Sequence, residues 1–473
     1  MQEESREFSD NEKLMEEVRR FQKMIKNNHF EYFDVSETEE IADYFLDCGK
    51  MILAKKAVDS GLDIHPTATA LQIRKARLLL LDKKIDECLE IIHNIEDMES
   101  TNSDVYLIKG CALISRQDKI KEAIEAFEKA ILYNKENTDE LLYEISMTLI
   151  QVNEENKATD FLHRAFKINP ENEQVLYELA YLYEKHKKYE KSIYYYNLCL
   201  DVNPFNASIW YNIGINYSVL KNDEKAIEAY DFSIALADDF EEAYFNKANI
   251  LSNSNHFEEA LSCYNDFISM NKNNDNAFCY LAECYLHMNK PDDAFFNYQE
   301  ALKINKKNFN AWYGSAVILW TKKNLKEANK HINKALKLNN KESDYWSVSA
   351  KINHDLKLYK KADDAFSMAI SLNPGNADNW ISLVEMKDEM NLKNEAIDIL
   401  RKAHKTIPDN ADIDYRLAAC LLKNNKGRSA MIFFKKALNL DFDNYFKLFE
   451  YYPEASDNIT VKKIIKEYKP NKL

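Results

Sequence analysis

The chain has 473 residues, 46% of them hydrophobic and 30% charged, with only 7 Gly and 8 Pro. So little Gly leaves nothing for the glycine-rich turns of sheets or phosphate loops, and the composition reads as all-helical. A formal net charge of -15 repels a phosphate backbone, which argues against nucleic-acid binding.

The first 34 residues read as an acidic segment with a capping helix. Residues 1 to 50 carry 14 acids against 7 bases, and KLMEEVRRFQKMIK at 13 to 26 is amphipathic. The opening MQEESREFSDNEKLMEE lacks a basic stretch followed by an apolar one, and no run of about 18 apolar residues occurs. A cytoplasmic chain without a membrane span is the expectation. The eight cysteines contain no C-x-x-C pair and read as reduced thiols, so no metal site or cofactor is expected.

Residues 35–444 repeat. Pro170 and Pro204 lie 34 residues apart, and steps of 34 from Pro204 reach Asp238, Lys272, Lys306, Asn340, Pro374, Pro408 and Phe442, each just past an apolar helix end. Backwards from Pro170, two steps of 35 meet Lys135 and Ser100 before Pro66. About twelve units follow from this spacing, and a period of that length means stacked supersecondary units. Twelve residues before the proline position stand Ala158, Ala226, Ala260, Ala294, Ala328, Ala362, Ala396 and Ala430, with Ser192 the exception. Small side chains there let two helices cross closely, while Tyr230, Tyr264, Tyr298, Phe366 and Phe434, four residues on, share the same face. Each unit is therefore a helical hairpin, helix A followed by helix B.

Residues 445–473 read as C-terminal capping helices, with TVKKIIKEY at 460 to 468 presenting a polar face and residues 458 to 473 carrying five lysines against Glu467. That length is too short for a second core, and stacked hairpins need a polar cap at each end.

Pro204, Trp210, Ile213, Gly214, Tyr217, Ala226 and Tyr230 resemble the W-x2-L-G-x2-Y, A-x3-F and P pattern of tetratricopeptide (TPR) repeats, and Trp312, Trp346 and Trp380 lie in or beside the tryptophan position of later units. The resemblance covers about 410 of the 473 residues. It implies a right-handed superhelical α-solenoid, all-α, in which A helices line a concave groove and positions 2, 5, 9 and 12 of each unit face it. Departures occur. Ala180, Ala248, Ala282, Ala316 and Ala350 replace Gly, and most turn prolines are Lys or Asn.

Catalytic signatures such as G-x-x-x-x-G-K-[ST], G-x-S-x-G and H-E-x-x-H are missing. Cys284 with His287, near Cys279, is the best thiol–imidazole candidate, yet the repeat register makes these residues ordinary occupants of a helix A. No enzyme is expected.

The groove positions implied by the resemblance give Tyr143, Met147 and Ile150, then Tyr177 and Tyr181, then Tyr211 and Ile215, then Phe245 and Asn249. The ninth unit supplies Tyr313, Val317 and Trp320, and the groove then turns polar through Ser347, Lys351 and His354, followed by Glu385 and Asp388. An aromatic stripe distinct from the packing stripe marks an interaction surface. The lysine that TPR clamps use for acidic C-terminal tails is missing beside Tyr177/Tyr181, Tyr211/Ile215 and Phe245/Asn249. The reading is a noncatalytic scaffold or adaptor whose groove holds a segment of another protein. Two alternatives stand beside it: a structural component that self-assembles as a homo-oligomer or joins a larger machine, and a regulatory protein that senses a peptide.

Overall fold

The computed structural model describes residues 2–27, 29–116 and 119–469, all of whose regular elements are helices. Lys472 of the basic C-terminal run lies outside them. The chain divides into two compact units, Met1–Ala237 and Asp238–Leu473.

The first unit opens with α1 (Gln2–Asn27) and continues as six hairpins. These pair α2 (Val35–Asp47) with α3 (Met51–Ile64), α4 (Thr69–Leu81) with α5 (Ile85–Ile95), and α6 (Ser103–Ile114) with α7 (Ile120–Tyr133). Then come α8 (Thr138–Gln151) with α9 (Glu155–Ile168), α10 (Glu173–Lys185) with α11 (Tyr189–Val202), and α12 (Ala207–Val219) with α13 (Asp223–Leu236).

The second unit pairs α14 (Glu241–Asn253) with α15 (Phe257–Met270), α16 (Asp275–His287) with α17 (Pro291–Ile304), and α18 (Phe309–Thr321) with α19 (Leu325–Leu338). It goes on with α20 (Ser343–Asp355) and α21 (Tyr359–Leu372), α22 (Ala377–Glu389) and α23 (Lys393–Thr406), and α24 (Ala411–Lys423) and α25 (Gly427–Leu440). The short α26 (Lys447–Tyr451), a 3-10 turn at Pro453–Asp457 and α27 (Ile459–Tyr468) complete it.

Local chemistry starts and stops these helices at a fixed period. Asn172, Asn206, Asn274, Asn308, Asn376 and Asn410 cap A helices, each side-chain oxygen accepting from a backbone N–H two or three residues on. Each cap replaces a donor bond that the first turn lacks. Between A and B, nine residues spaced 34 apart from Asn153 to Asn425 take φ of 56° to 64°. Only Asn and Lys occupy them, and the left-handed residue lets the next N–H reach back, as Lys188 N does to Tyr183 O at 2.8 Å.

Packing explains the other periodic residues. The eight alanines from Ala158 to Ala430 have no solvent exposure, and Tyr230, Tyr264, Tyr298, Phe366 and Phe434 are buried one helical turn later. Burying such a ring contributes about 2–3 kcal/mol. At the tryptophan position the indole N–H of Trp312, Trp346 and Trp380 donates to the carbonyls of Lys306, Asn340 and Pro374, at 2.9–3.0 Å. That bond fastens the start of helix A to the turn preceding it.

At the ends, Val18, Phe21 and Met24 of α1 pack with Phe33 and Phe45, while Val461 and Ile464 of α27 pack with Tyr415 and Phe434. None of the helices among the described residues is long and apolar enough to cross a membrane.

Candidate binding surface on the A helices

In the first unit, Tyr143, Met147 and Ile150 on α8 are half-buried. Tyr177 on α10 meets the ring of Tyr196 edge-on at 5.8 Å, and Tyr211 on α12 tilts onto Tyr230 at 5.8 Å. Ile215 is half-buried, whereas Tyr181 is 43% exposed. Each position-5 ring therefore turns one face to its own hairpin and leaves an edge outward.

Carboxylates accompany these rings. Burial pushes Glu178 above its ordinary range, and it does the same to Glu184 against hydrogen bonds from Asn216 (3.2 Å) and Tyr196 (3.4 Å). Nearer the N-terminus, α2, α4, α6 and α8 enclose a hollow of about 620 Å³. Arg74 spans it, donating to Asp43 at 2.7 Å and to Glu39 at 2.8 Å. Sequence reasoning passed over this hollow, although positions 5, 9 and 12 of the first two units are Glu39, Asp43, Leu46 and Ile73, Arg77, Leu80.

In the second unit Phe245 packs against Tyr264, Phe267 and Tyr280, and Asn249 accepts a hydrogen bond from the Tyr264 hydroxyl at 2.6 Å. Tyr313 stacks on Tyr345 with centroids 4.4 Å apart, and Val317 is half-buried beside it. The Trp320 indole N–H donates to Asp355 at 2.9 Å, so that polar edge is already engaged within the chain. A hollow of about 470 Å³ opens between α16, α18 and α20, lined by Tyr298, Tyr313 and Glu283 among others.

The polar stretch is largely self-paired. His354 Nε2 stands 2.8 Å from Glu389, Glu385 pairs with Arg416 at 3.4 Å, and Ser347 is buried. Lys351 is half-buried.

No reactive thiol emerges from Cys284. Its sulfur is buried 3.4 Å from the Ser252 hydroxyl, while the His287 ring stacks on Phe257 at 4.9 Å. Burial raises the Cys284 thiol and pushes Cys279 up to about 12, which keeps both protonated at neutral pH.

A family model described as Tetratricopeptide repeat matches residues 285–352 and 393–448, and a second of the same description matches 103–137, 173–206 and 241–274. No curated protein matches the chain. Among solved structures it is similar to the MamA protein, at 18% identity over 36% of this chain and 92% of that one, with a TM-score of 0.35. It is also similar to YrrB, described as a TPR protein with an unusual peptide-binding site, at 18% identity over 40% and 96%, TM-score 0.35. A third similarity is to the C-terminal part of a TPR repeat-containing protein from Cytophaga hutchinsonii, at 15% identity over 50% and 97%, TM-score 0.43. With the family's residues recurring at its own period through hairpin after hairpin, and five stretches across both units matching its models, the chain is a tetratricopeptide repeat protein.

Proposed function

We propose that this chain is a noncatalytic adaptor that holds an extended or helical segment of another polypeptide against its A helices. One observation carries the reading: on the A helices α8, α10, α12 and α14 the position-5 rings are only half-buried, and at α16–α20 an open hollow is lined by the half-buried position-5 ring of Tyr313. Packing alone needs rings that are sealed; a row with outward edges suits a chain whose side chains enter successive gaps. Tetratricopeptide repeats serve protein interaction in general, and the buried, protonated Cys279 and Cys284 do not supply the thiol–imidazole nucleophile that their spacing to His287 suggested.

The test places a photo-crosslinking amino acid at Tyr181 or Val317 on the inner face and at Tyr194 or Phe296 on B helices, in the full chain in vivo. A discrete crosslinked polypeptide from the inner positions, missing from the outer ones, is the expected result. Crosslinks confined to Tyr194 or Phe296 would overturn the reading.

A further inference from the structure

Three A helices carry a carboxylate at position 9: Asp43 on α2, Glu283 on α16 and Glu385 on α22. In two of them the residue 31 positions later, on the next A helix, is an arginine that pairs with it. Arg74 holds Asp43 at 2.7 Å, and Arg416 holds Glu385 at 3.4 Å while its guanidinium lies 4.3 Å over the ring of Tyr451. For Glu283 the residue in the arginine's place is Gly314.

Gly314 cannot be exchanged for a longer residue without rearrangement. A Cβ there would stand 2.2 Å from the Tyr298 ring, so the tyrosine of α17 occupies the space of the missing side chain's root. What remains above it is the hollow between α16, α18 and α20.

The walls of that hollow are unsatisfied in a consistent sense. Among the described residues Glu283, Glu342 and Asp344 have no ion pair within 4 Å, although all three line it. Tyr298 is 3% exposed, its ring forms part of the wall, and its hydroxyl has no hydrogen-bond partner among the described residues; the hydroxyl of half-buried Tyr313 has none either. Tyr345 differs, since its hydroxyl donates to Asn310 at 2.6 Å. Unpaired carboxylates, free phenolic oxygens and the stacked Tyr313–Tyr345 pair together suit a planar, multiply donating cation. Burial pushes Glu283 above its usual range, and the opposing pull of His287, one helical turn along α16, does not cancel it.

We infer that this hollow receives an arginine side chain from the bound polypeptide, whose guanidinium takes the place beside Glu283 that Arg74 and Arg416 fill beside Asp43 and Glu385. The inference rests on the adaptor reading and narrows it: the partner segment is basic, in keeping with the net charge of -15. Lysine supplies the charge but not the planar fork that two carboxylates and a ring edge accommodate.

The probe is a displayed library of random dodecapeptides selected on the full chain, followed by fluorescence anisotropy with the recovered peptides. Selected sequences are expected to share one arginine. Changing it to glutamine should weaken binding about tenfold or more, and changing it to lysine by a smaller factor. Glu283→Gln should cause a similar loss with the parent peptide and little further loss with the arginine-less one, the signature of direct coupling. Tyr298→Phe keeps the ring and should cost a few-fold, about 3–10, with the circular dichroism spectrum unchanged. Glu258→Gln with Asp364→Asn, two exposed B-helix carboxylates, controls for general charge and should change affinity less than about twofold. Binders that need no arginine, or whose arginine is indifferent to Glu283→Gln, overturn this inference and leave the adaptor reading standing. Recovery of no binder overturns both.

Discussion

His404 Nδ1 lies 2.6 Å from Asp414 Oδ1 and thereby holds a carboxyl group with no solvent exposure. The Phe433 ring stands edge-on to His404 at 5.1 Å and fixes it, while Asp414 Oδ2 has no partner. Burial raises Asp414 above its ordinary value, and the opposing pull of His404 and Lys436 does not cancel it. A raised acid is stabilising when protonated. Its contribution is complete below the unfolded value of 3.8 and is lost as pH rises through the folded value. Asp414→Asn keeps an acceptor for His404 and removes the buried charge, so the variant's stability relative to the parent is expected to be greater at pH 7 than at pH 4. Urea unfolding at the two pH values measures this, and a pH-independent difference refutes it.

The left-handed residues between A and B helices carry a cost that the sequence could have avoided. Lys357 adopts φ of 60° and its side chain is exposed, while its backbone N–H bonds to His354 O at 2.8 Å. A side chain in that conformation costs about 1–2 kcal/mol, of which glycine's extra unfolded-state entropy returns part. Lys357→Gly is therefore expected to stabilise the second unit by about 0.5–1 kcal/mol. Gly49, at φ of 68°, is the converse case, and Gly49→Ala should destabilise by a similar amount. Chemical denaturation of both variants decides the point.

The hairpins were legible because their cause is local and periodic. Ala226 must be small wherever two helices cross, and Pro204 marks the turn between units, so both recur at intervals a ruler finds. The asparagine caps and the left-handed Asn or Lys positions follow the same period, but Asn and Lys are too frequent along this chain for their spacing to stand out. Side-chain partners were less accessible. Trp320 falls at a groove position, but its bond to Asp355 joins residues 35 apart, and position numbers alone do not encode how one hairpin sits on the next. The same applies to Tyr177, placed on the groove by its position and found leaning on Tyr196. Gly314 was invisible for a related reason: its significance lies in the arginine that two other units have in its place.

Close approach, rather than backbone conformation, accounts for Gly214. A Cβ on it would stand 2.6 Å from the Tyr230 ring, and that ring, 1% exposed, has nowhere to retreat. Gly214→Ala is expected to destabilise by about 1–3 kcal/mol despite alanine's better helix propensity. At Gly375, where the nearest atom to a new Cβ is Asn373 Oδ1 at 3.5 Å, the same substitution should be close to neutral. Thermal melts of the two variants give the contrast, and equal effects would remove close packing as the explanation.

Glu283 and Glu385 occupy the same position of the repeat but are expected to respond to neutralisation with opposite signs. Glu385 pairs with Arg416, whose largely buried guanidinium also covers the ring of Tyr451 on α26. Glu385→Gln leaves that arginine without its carboxylate and should cost about 1 kcal/mol. The loss should show as faster amide exchange in α26, because the guanidinium that Glu385 holds is the one lying over Tyr451, with the Tyr451 bond to Asp412 left as that ring's remaining tie. Among the described residues Glu283 has no ion-pair partner within 4 Å, and burial raises it against the smaller pull of His287, so above its raised value the folded chain holds a poorly compensated charge. Glu283→Gln removes that charge, so stability at pH 7 should stay level or rise, with the difference fading as pH falls and the parent's carboxyl protonates. Measured by urea unfolding without any peptide, a loss for Glu283→Gln equal to that for Glu385→Gln would mean that Glu283 already has an internal partner, and the hollow beside Gly314 would then have no need of an arginine from outside.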